Sequence, residues 1–281
     1  MALRDEWFDG GISDLLRKDL GIESTQKMAK AVQPHIFPNN QSSDEVLKNL
    51  VEKEYSRYLE LAEGDDLKFF QRTQKIVNTY PLDFPETKKI LESYHNNVGK
   101  DPIAAANLLA RLAFYFEHSQ AQSRKTRAGS SLELQLEYLL MNNGITKFES
   151  QKTVYWGGGN SAKLDYIFPS VEHFNNDPHD CILLSCQTSS NDRIRSALAQ
   201  GIEGQKYVPT LLGSSNISTS LRKLSPRKLA YVQSKGAKYV MFPGGKNMNS
   251  VMADSKAIIF YQELIDRIKQ RHDYWPDPRT H

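Results

Sequence analysis

Three short stretches hold residue types that could do chemistry on a charged substrate. Asp165 opens the apolar run Asp165-Tyr166-Ile167-Phe168. A second apolar run, Cys181-Ile182-Leu183-Leu184-Ser185-Cys186, leads into the polar sequence Gln187-Thr188-Ser189-Ser190-Asn191-Asp192-Arg193-Ile194-Arg195. Upstream, Arg124-Lys125-Thr126-Arg127 precede Glu133. Metal-assisted hydrolysis of a phosphodiester needs hard oxygen ligands converging on one point and a donor for the charge that develops. Asp165 at the head of a buried strand is a first ligand; in isolation it also reads as a turn aspartate closing the Gly157-Gly158-Gly159-Asn160 hairpin. Glu133, taken alone, reads as an exposed helix carboxylate. Asp192-Arg193 puts an acceptor beside a two-pronged donor. Alone, such an Asp-Arg pair is a helix cap followed by a surface arginine.

These residues need elements to position them. Residues 1 to about 118 read as mostly helical. Asp44 to Val51 has apolar positions at helical spacing after Ser42-Ser43, and Pro85-Glu86 suits a first helical turn. Ile103 to Phe116 predicts an apolar core helix, and Phe69-Phe70 with Phe114-Tyr115-Phe116 read as core. Gln33 to Ser43 reads as a loop. From Arg124 the texture changes. Ser130 to Asn142, with leucines at 132, 136, 139 and 140, predicts a helix started by Gly129-Ser130-Ser131. Strands are expected at Val154–Trp156, Asp165–Phe168, Cys181–Ser185, Tyr207–Leu212 and Tyr239–Pro243, with a helix at Ile194–Leu198. The unbroken apolar run at Cys181–Ser185 marks a strand covered on both faces. Strands alternating with helices predict an α/β protein with a mixed central sheet.

Bulk properties narrow the class. The 281 residues carry a net charge of only +3, so nucleic-acid affinity would have to come from local clusters: Arg124 to Arg127, Arg193 with Arg195, and Arg222 to Lys228. No apolar run approaches ~18 residues, which argues against a membrane span. The N-terminus lacks a secretory core. The two cysteines, in one strand region, exclude a disulfide scaffold and suit a reducing cytoplasm. They read as small buried residues. The seven histidines lack metal-ligand spacing, and Gly157-Gly158-Gly159 lacks the Gly-Lys-Ser/Thr continuation of a phosphate loop.

The stretch Arg124-Lys125-Thr126-Arg127-Ala128-Gly129…Leu132-Glu133 resembles the Arg-Lys-Ser-Arg-Ala-Gly…Leu-Glu pattern of the EcoRII, SsoII and PspGI group of type II restriction endonucleases. Gln187 to Arg195 resembles that group's Lys-Thr-Thr-x-Lys-Asp-Arg-Trp-Arg run, and the strands from Lys163 to Arg193 are laid out like a PD-(D/E)XK nuclease core. The resemblance covers roughly the last 160 residues. It implies a restriction-endonuclease-like core at 119–281, preceded by a helical N-terminal region at 1–118 that contributes to dimerisation and DNA contacts.

By the same resemblance, the protein would be a homodimer cleaving double-stranded DNA with Mg2+ at a short CC/GG palindrome. Asp165 and Glu133 would hold the metal, and a basic loop would feed the Glu133 helix. Gln187 stands where the group has its catalytic lysine. Gln200 stands where the group has a displaced carboxylate, with Glu203 one helical turn beyond. Asp192 and Arg193 would read C:G pairs, the aspartate accepting from cytosine N4 and the arginine donating twice to guanine O6 and N7, each worth about 1–3 kcal/mol of discrimination; Asn191, Arg195, Arg124, Lys125 and Arg127 would also contact DNA. The two amides leave open an alternative, a site-specific DNA-binding protein of the same fold without cleavage. A helical interaction protein with an accidental C-terminal likeness is the remaining reading.

Overall fold

The computed structural model describes residues 12–19, 21–34, 37–63, 69–187, 202–211, 226–243 and 256–276. Its helices and strands, in chain order, begin with α1 (Ile12–Asp19), α2 (Thr25–Val32), α3 (Ser43–Glu63), α4 (Phe69–Thr79), α5 (Pro85–Asn97) and α6 (Pro102–Asn142). There follow β1 (Glu149–Trp156), β2 (Asn160–Phe168), α7 (Val171–Asn176), β3 (Ile182–Leu184), β4 (Gln205–Pro209), α8 (Pro226–Ser234), β5 (Ala237–Met241), β6 (Ile258–Phe260) and α9 (Tyr261–His272). Two compact units emerge: Met1–Met28 with Ser56–Arg127, and Ala29–Tyr55 with Ala128–His281. The boundary suggested by sequence, near residue 118, falls inside α6.

The first unit is helical. Ile12, Leu16, Ile76, Val77, Phe84, Leu91 and Leu112 form its core. Pro85 sits in the first turn of α5, where its missing N–H costs nothing. One expectation needs correction here. Ile103 is 76% exposed and Phe114 56% exposed, so Ile103–Phe116 is a helix that reaches the core on one side only. A helix with apolar residues on several sides buries only the side that meets neighbours, here through Ala105 and Leu112.

The second unit is built on a six-stranded sheet in the order β1-β2-β3-β4-β5-β6. β1, β2 and β3 pair antiparallel, whereas β3 to β6 run parallel, which makes the sheet mixed as expected. Alternation sorts the side chains onto two covered faces. Ile182, Leu184, Tyr207, Val240 and Ile259 join the core formed with α3, α6 and α9. Leu183 goes to the opposite side with Phe174 of α7, and Val208, Tyr239 and Met241 pack there with α8.

α6 supplies Leu132, Leu136, Leu139 and Leu140, all fully buried, and each contributes about 1.5–3 kcal/mol on burial. The expected helix start at Gly129-Ser130-Ser131 is absent, because α6 is continuous through it. Hence Arg124 to Arg127 lie on a helix and not in a basic loop. A mid-helix glycine costs only about 1 kcal/mol, and the Ser131 hydroxyl, which could have capped a new helix, instead donates to the Glu54 carboxylate at 2.7 Å.

α3 begins with a reciprocal cap. The Glu45 N–H donates to Ser42 Oγ, and the Ser42 N–H donates to Glu45 Oε2 at 3.0 Å. Asp44 then accepts from the Tyr261 and Gln262 N–H groups, 2.8 and 3.2 Å away, and so satisfies the open N-terminus of α9. Burial pushes the Asp44 carboxyl above its ordinary range.

Candidate active site

Asp165 lies inside β2, in register opposite Gln151 of β1, between the pairs Ser150↔Tyr166 and Lys152↔Leu164. It is not a turn residue. The hairpin is closed by Gly157–Gly159, where Gly158 and Gly159 adopt φ of 80° and 77°, and the Asn160 amide donates to the Gly157 carbonyl. At Asp165 the strand's alternation breaks. Leu164 and Ile167 pack on one face of the sheet, whereas Tyr166 and Phe168 pack on the other. An unbroken strand would put Leu164 and Tyr166 together. Gln151, across from this break, has φ of 55°, a left-handed conformation uncommon for any residue with a side chain.

The break aims three groups at one place. Asp165 Oδ2 accepts from the Cys186 backbone N–H at 2.6 Å, just past the end of β3. Gln151 Nε2 donates to Asp165 Oδ1 at 3.0 Å and to Glu133 Oε2 at 2.9 Å. The Tyr166 hydroxyl donates to the Glu133 carbonyl at 2.7 Å and so fixes the turn of α6 that bears Glu133. Burial, followed by the charges of Asp165 and Glu133, pushes the Cys186 thiol far above its ordinary value. Burial likewise pushes the Tyr166 phenol up, with Cys186, Glu137, Glu133 and Asp165 adding to it, so this hydroxyl remains a donor. Cys181, also buried, is pushed up to about 12, chiefly by desolvation. Both thiols are free and buried, as expected, but Cys181 and Cys186 flank β3 and do not lie in it.

Gln187 continues β3. Its N–H donates to the Pro209 carbonyl at 2.8 Å, in a parallel bridge to Thr210. It is only 4% exposed. The lysine slot of the sequence resemblance is thus beside the Asp165 end of β3, with a buried neutral residue in it.

Glu203 is not brought to this place. Ile202 to Gly204 are not helical and lead into β4, whose first residue pairs with Ile182. About five strand residues, on the order of 15 Å, separate that level from Cys186. The expected helical reach of Glu203 fails because Gly204 turns the chain at φ of 98°, with a would-be Cβ only 2.8 Å from the Pro178 carbonyl. Glu203 Oε2 instead pairs with His179 Nε2 at 3.1 Å. Arg127 is engaged within the first unit, donating to the Glu23 carbonyl at 2.8 Å and lying over the Tyr58 ring. Asn191, Asp192, Arg193, Arg195 and Gln200 lie outside the described residues, as do the side chains of Arg124 and Lys125.

The donor set suits a small hard cation. Mg2+ is held by one or two carboxylates and keeps several waters. Asp165 and Glu133 supply two carboxylates; among the described residues no group of three or more His, Cys, Asp or Glu gathers to hold a metal ion. Gln151 escaped sequence reading: it sits in the polar run Ser150-Gln151-Lys152-Thr153, which has no apolar alternation, and a positive φ at glutamine leaves no trace in sequence.

A mixed sheet with an antiparallel β1–β3 arm, parallel β3–β6 and a carboxylate pair beside the end of β3 defines a restriction-endonuclease-like protein. Comparison with known proteins agrees. Residues 96–238, just over half of the chain, match the family described as EcoRII C terminal, and the chain belongs to that family. It is 34% identical over 84 residues to the type II restriction enzyme EcoRII of Escherichia coli; these are 29% of this chain and 20% of that enzyme. The match thus spans about a fifth of that relative's length.

Among solved structures, metal-depleted Ecl18kI in complex with uncleaved DNA superposes with a TM-score of 0.61 at 15% identity, over 95% of this chain and 86% of that one. The restriction endonuclease PspGI–substrate DNA complex gives 0.50 at 16% identity, over 94% and 92%. At these identities the likeness is one of fold.

Proposed function

We propose that this chain is a Mg2+-dependent type II site-specific deoxyribonuclease that cleaves double-stranded DNA at a short CC/GG-containing palindrome. The observation that carries the reading is the convergence of the Asp165 and Glu133 carboxylates on the Gln151 amide beside the end of β3. Membership of the EcoRII C-terminal family and the DNA complexes formed by the structural neighbours support it. Asp165 and Glu133 would hold Mg2+, which when bound polarises the phosphate and makes its water a better nucleophile. The Cys186 N–H keeps Asp165 oriented, and the Tyr166 hydroxyl keeps the Glu133 turn in place. Asp192 and Arg193 would read C:G pairs, with Asn191, Arg195, Arg124 and Lys125 on phosphates or bases. A palindromic target implies a homodimer, in which the N-terminal helical region takes part, working in the cytoplasm.

One observation favours a second reading, a site-specific DNA binder without cleavage. The lysine slot holds Gln187, which is neutral and buried, so no cation stands there to offset charge developing on the phosphate. Incubation with mixed-sequence plasmid DNA and Mg2+ or Mn2+ separates the two. Discrete fragments establish the nuclease. A salt-sensitive, site-specific mobility shift without products establishes the binder and overturns the first reading.

A further inference from the structure

We infer that Gln151 is a positioning residue that holds the Glu133 and Asp165 carboxylates together for a divalent cation; the inference rests on the metal-site reading above. One amide nitrogen gives a hydrogen bond to each carboxylate, 2.9 Å to Glu133 Oε2 and 3.0 Å to Asp165 Oδ1. Two oxygens sharing one NH2 group lie on the order of 5 Å apart. Like charges at that spacing repel, and the two amide hydrogens between them offset the repulsion without bringing a full charge that would exclude the cation.

The backbone is arranged to deliver this amide. Gln151 occupies the register position opposite Asp165, and it does so at φ of 55°. A side chain at ordinary extended φ would follow the alternation of β1, whereas the left-handed residue redirects it at the position where β2 also breaks alternation. The strain therefore sits where two carboxylates must be gathered, the usual place for such outliers. Gln151 is also exposed, so a hydrated cation can reach the carboxylates from solvent while the amide keeps its two hydrogen bonds and goes on orienting them. The buried amide of Gln135, in the same unit, offers no such access.

The test is Mn2+ binding to the full chain, read from the electron paramagnetic resonance of free Mn2+, with a melting curve for each variant. Gln151→Gly and Gln151→Ala both remove the amide, but only glycine is at ease with a positive φ. Both variants should bind Mn2+ roughly tenfold more weakly or worse, the usual effect of losing a partner that orients a ligand. Their melting temperatures should part, with Gln151→Gly at or above wild type and Gln151→Ala below Gln151→Gly. Unchanged Mn2+ affinity in both variants, or a loss confined to Gln151→Ala and tracking its melting point, overturns the inference. Asp165→Asn serves as reference. If it abolishes Mn2+ binding while Gln151→Gly binds normally, the positioning role alone fails. If it binds Mn2+ like wild type, the metal-site reading and the positioning role fail together.

Discussion

One stretch of α6 serves two carboxylate sites of opposite character. Ser131 and Gln135, one turn apart on the same face, donate to the Glu54 carboxylate at 2.7 and 2.8 Å, and the Gln135 amide also donates to the Ala29 carbonyl. All three side chains are buried. Glu133, between them in sequence and on another face, meets Asp165 across the Gln151 amide in a half-exposed place. The contrast separates a structural carboxylate from one available to a ligand. A buried charge is tolerable only when donors satisfy it, and such a network has nothing left to offer a cation. The Asp165 and Glu133 carboxylates are instead partly solvated, so a hydrated cation can reach them from solvent.

The comparison breaks first at Asp165. Asp165→Asn keeps the shape but removes a charge, and should lower Mg2+-dependent cleavage by roughly a hundredfold or more, measured on linear substrate DNA, with little change in melting point. Gln135→Leu should do the reverse. It leaves Glu54 short of a donor and should cost about 1.5–3 kcal/mol of stability in urea unfolding, while cleavage below the transition is retained. A cleavage loss without a stability loss would show that the two faces of α6 are not independent.

Asp44→Ala, which uncaps α9, should cost about 0.5–2 kcal/mol by the same measurement without touching the carboxylate pair. Glu203→Gln should be nearly silent in both assays, within about 0.5 kcal/mol, because Glu203 stands at the far end of the β3–β4 pair with His179. Alkylation gives a last check: neither thiol should react with iodoacetamide at pH 7.5 until the protein is unfolded, because burial keeps Cys181 and Cys186 protonated.

What was legible in the sequence follows from what the physics writes there. Continuous apolar runs gave away β3 and the Asp165–Phe168 end of β2, whereas the polar, largely exposed first half of β2 carries no such run. Asp165 stood out by residue type and Glu133 by the family likeness of its segment, and the structure brings them together. The six-stranded order gained β6 only from the structure, since Ile258–Phe260 is too short to carry a period. The continuity of α6 was hidden by Gly129-Ser130-Ser131, whose local preference for a helix start gives way to Leu132, Leu136 and Leu139 packing on the sheet. Gln151 and the turn at Gly204 were invisible for a common reason. Both depend on positive φ, and the reach of a side chain after such a residue cannot be counted along the chain.

The most direct test of the central claim is anomalous diffraction from crystals of the protein with cognate DNA grown in Mn2+. A peak is expected about 2.1–2.3 Å from carboxylate oxygens of both Asp165 and Glu133, with the Gln151 amide still donating to both carboxylates. A peak ligated by neither residue, or one at Glu203 and His179, would contradict it.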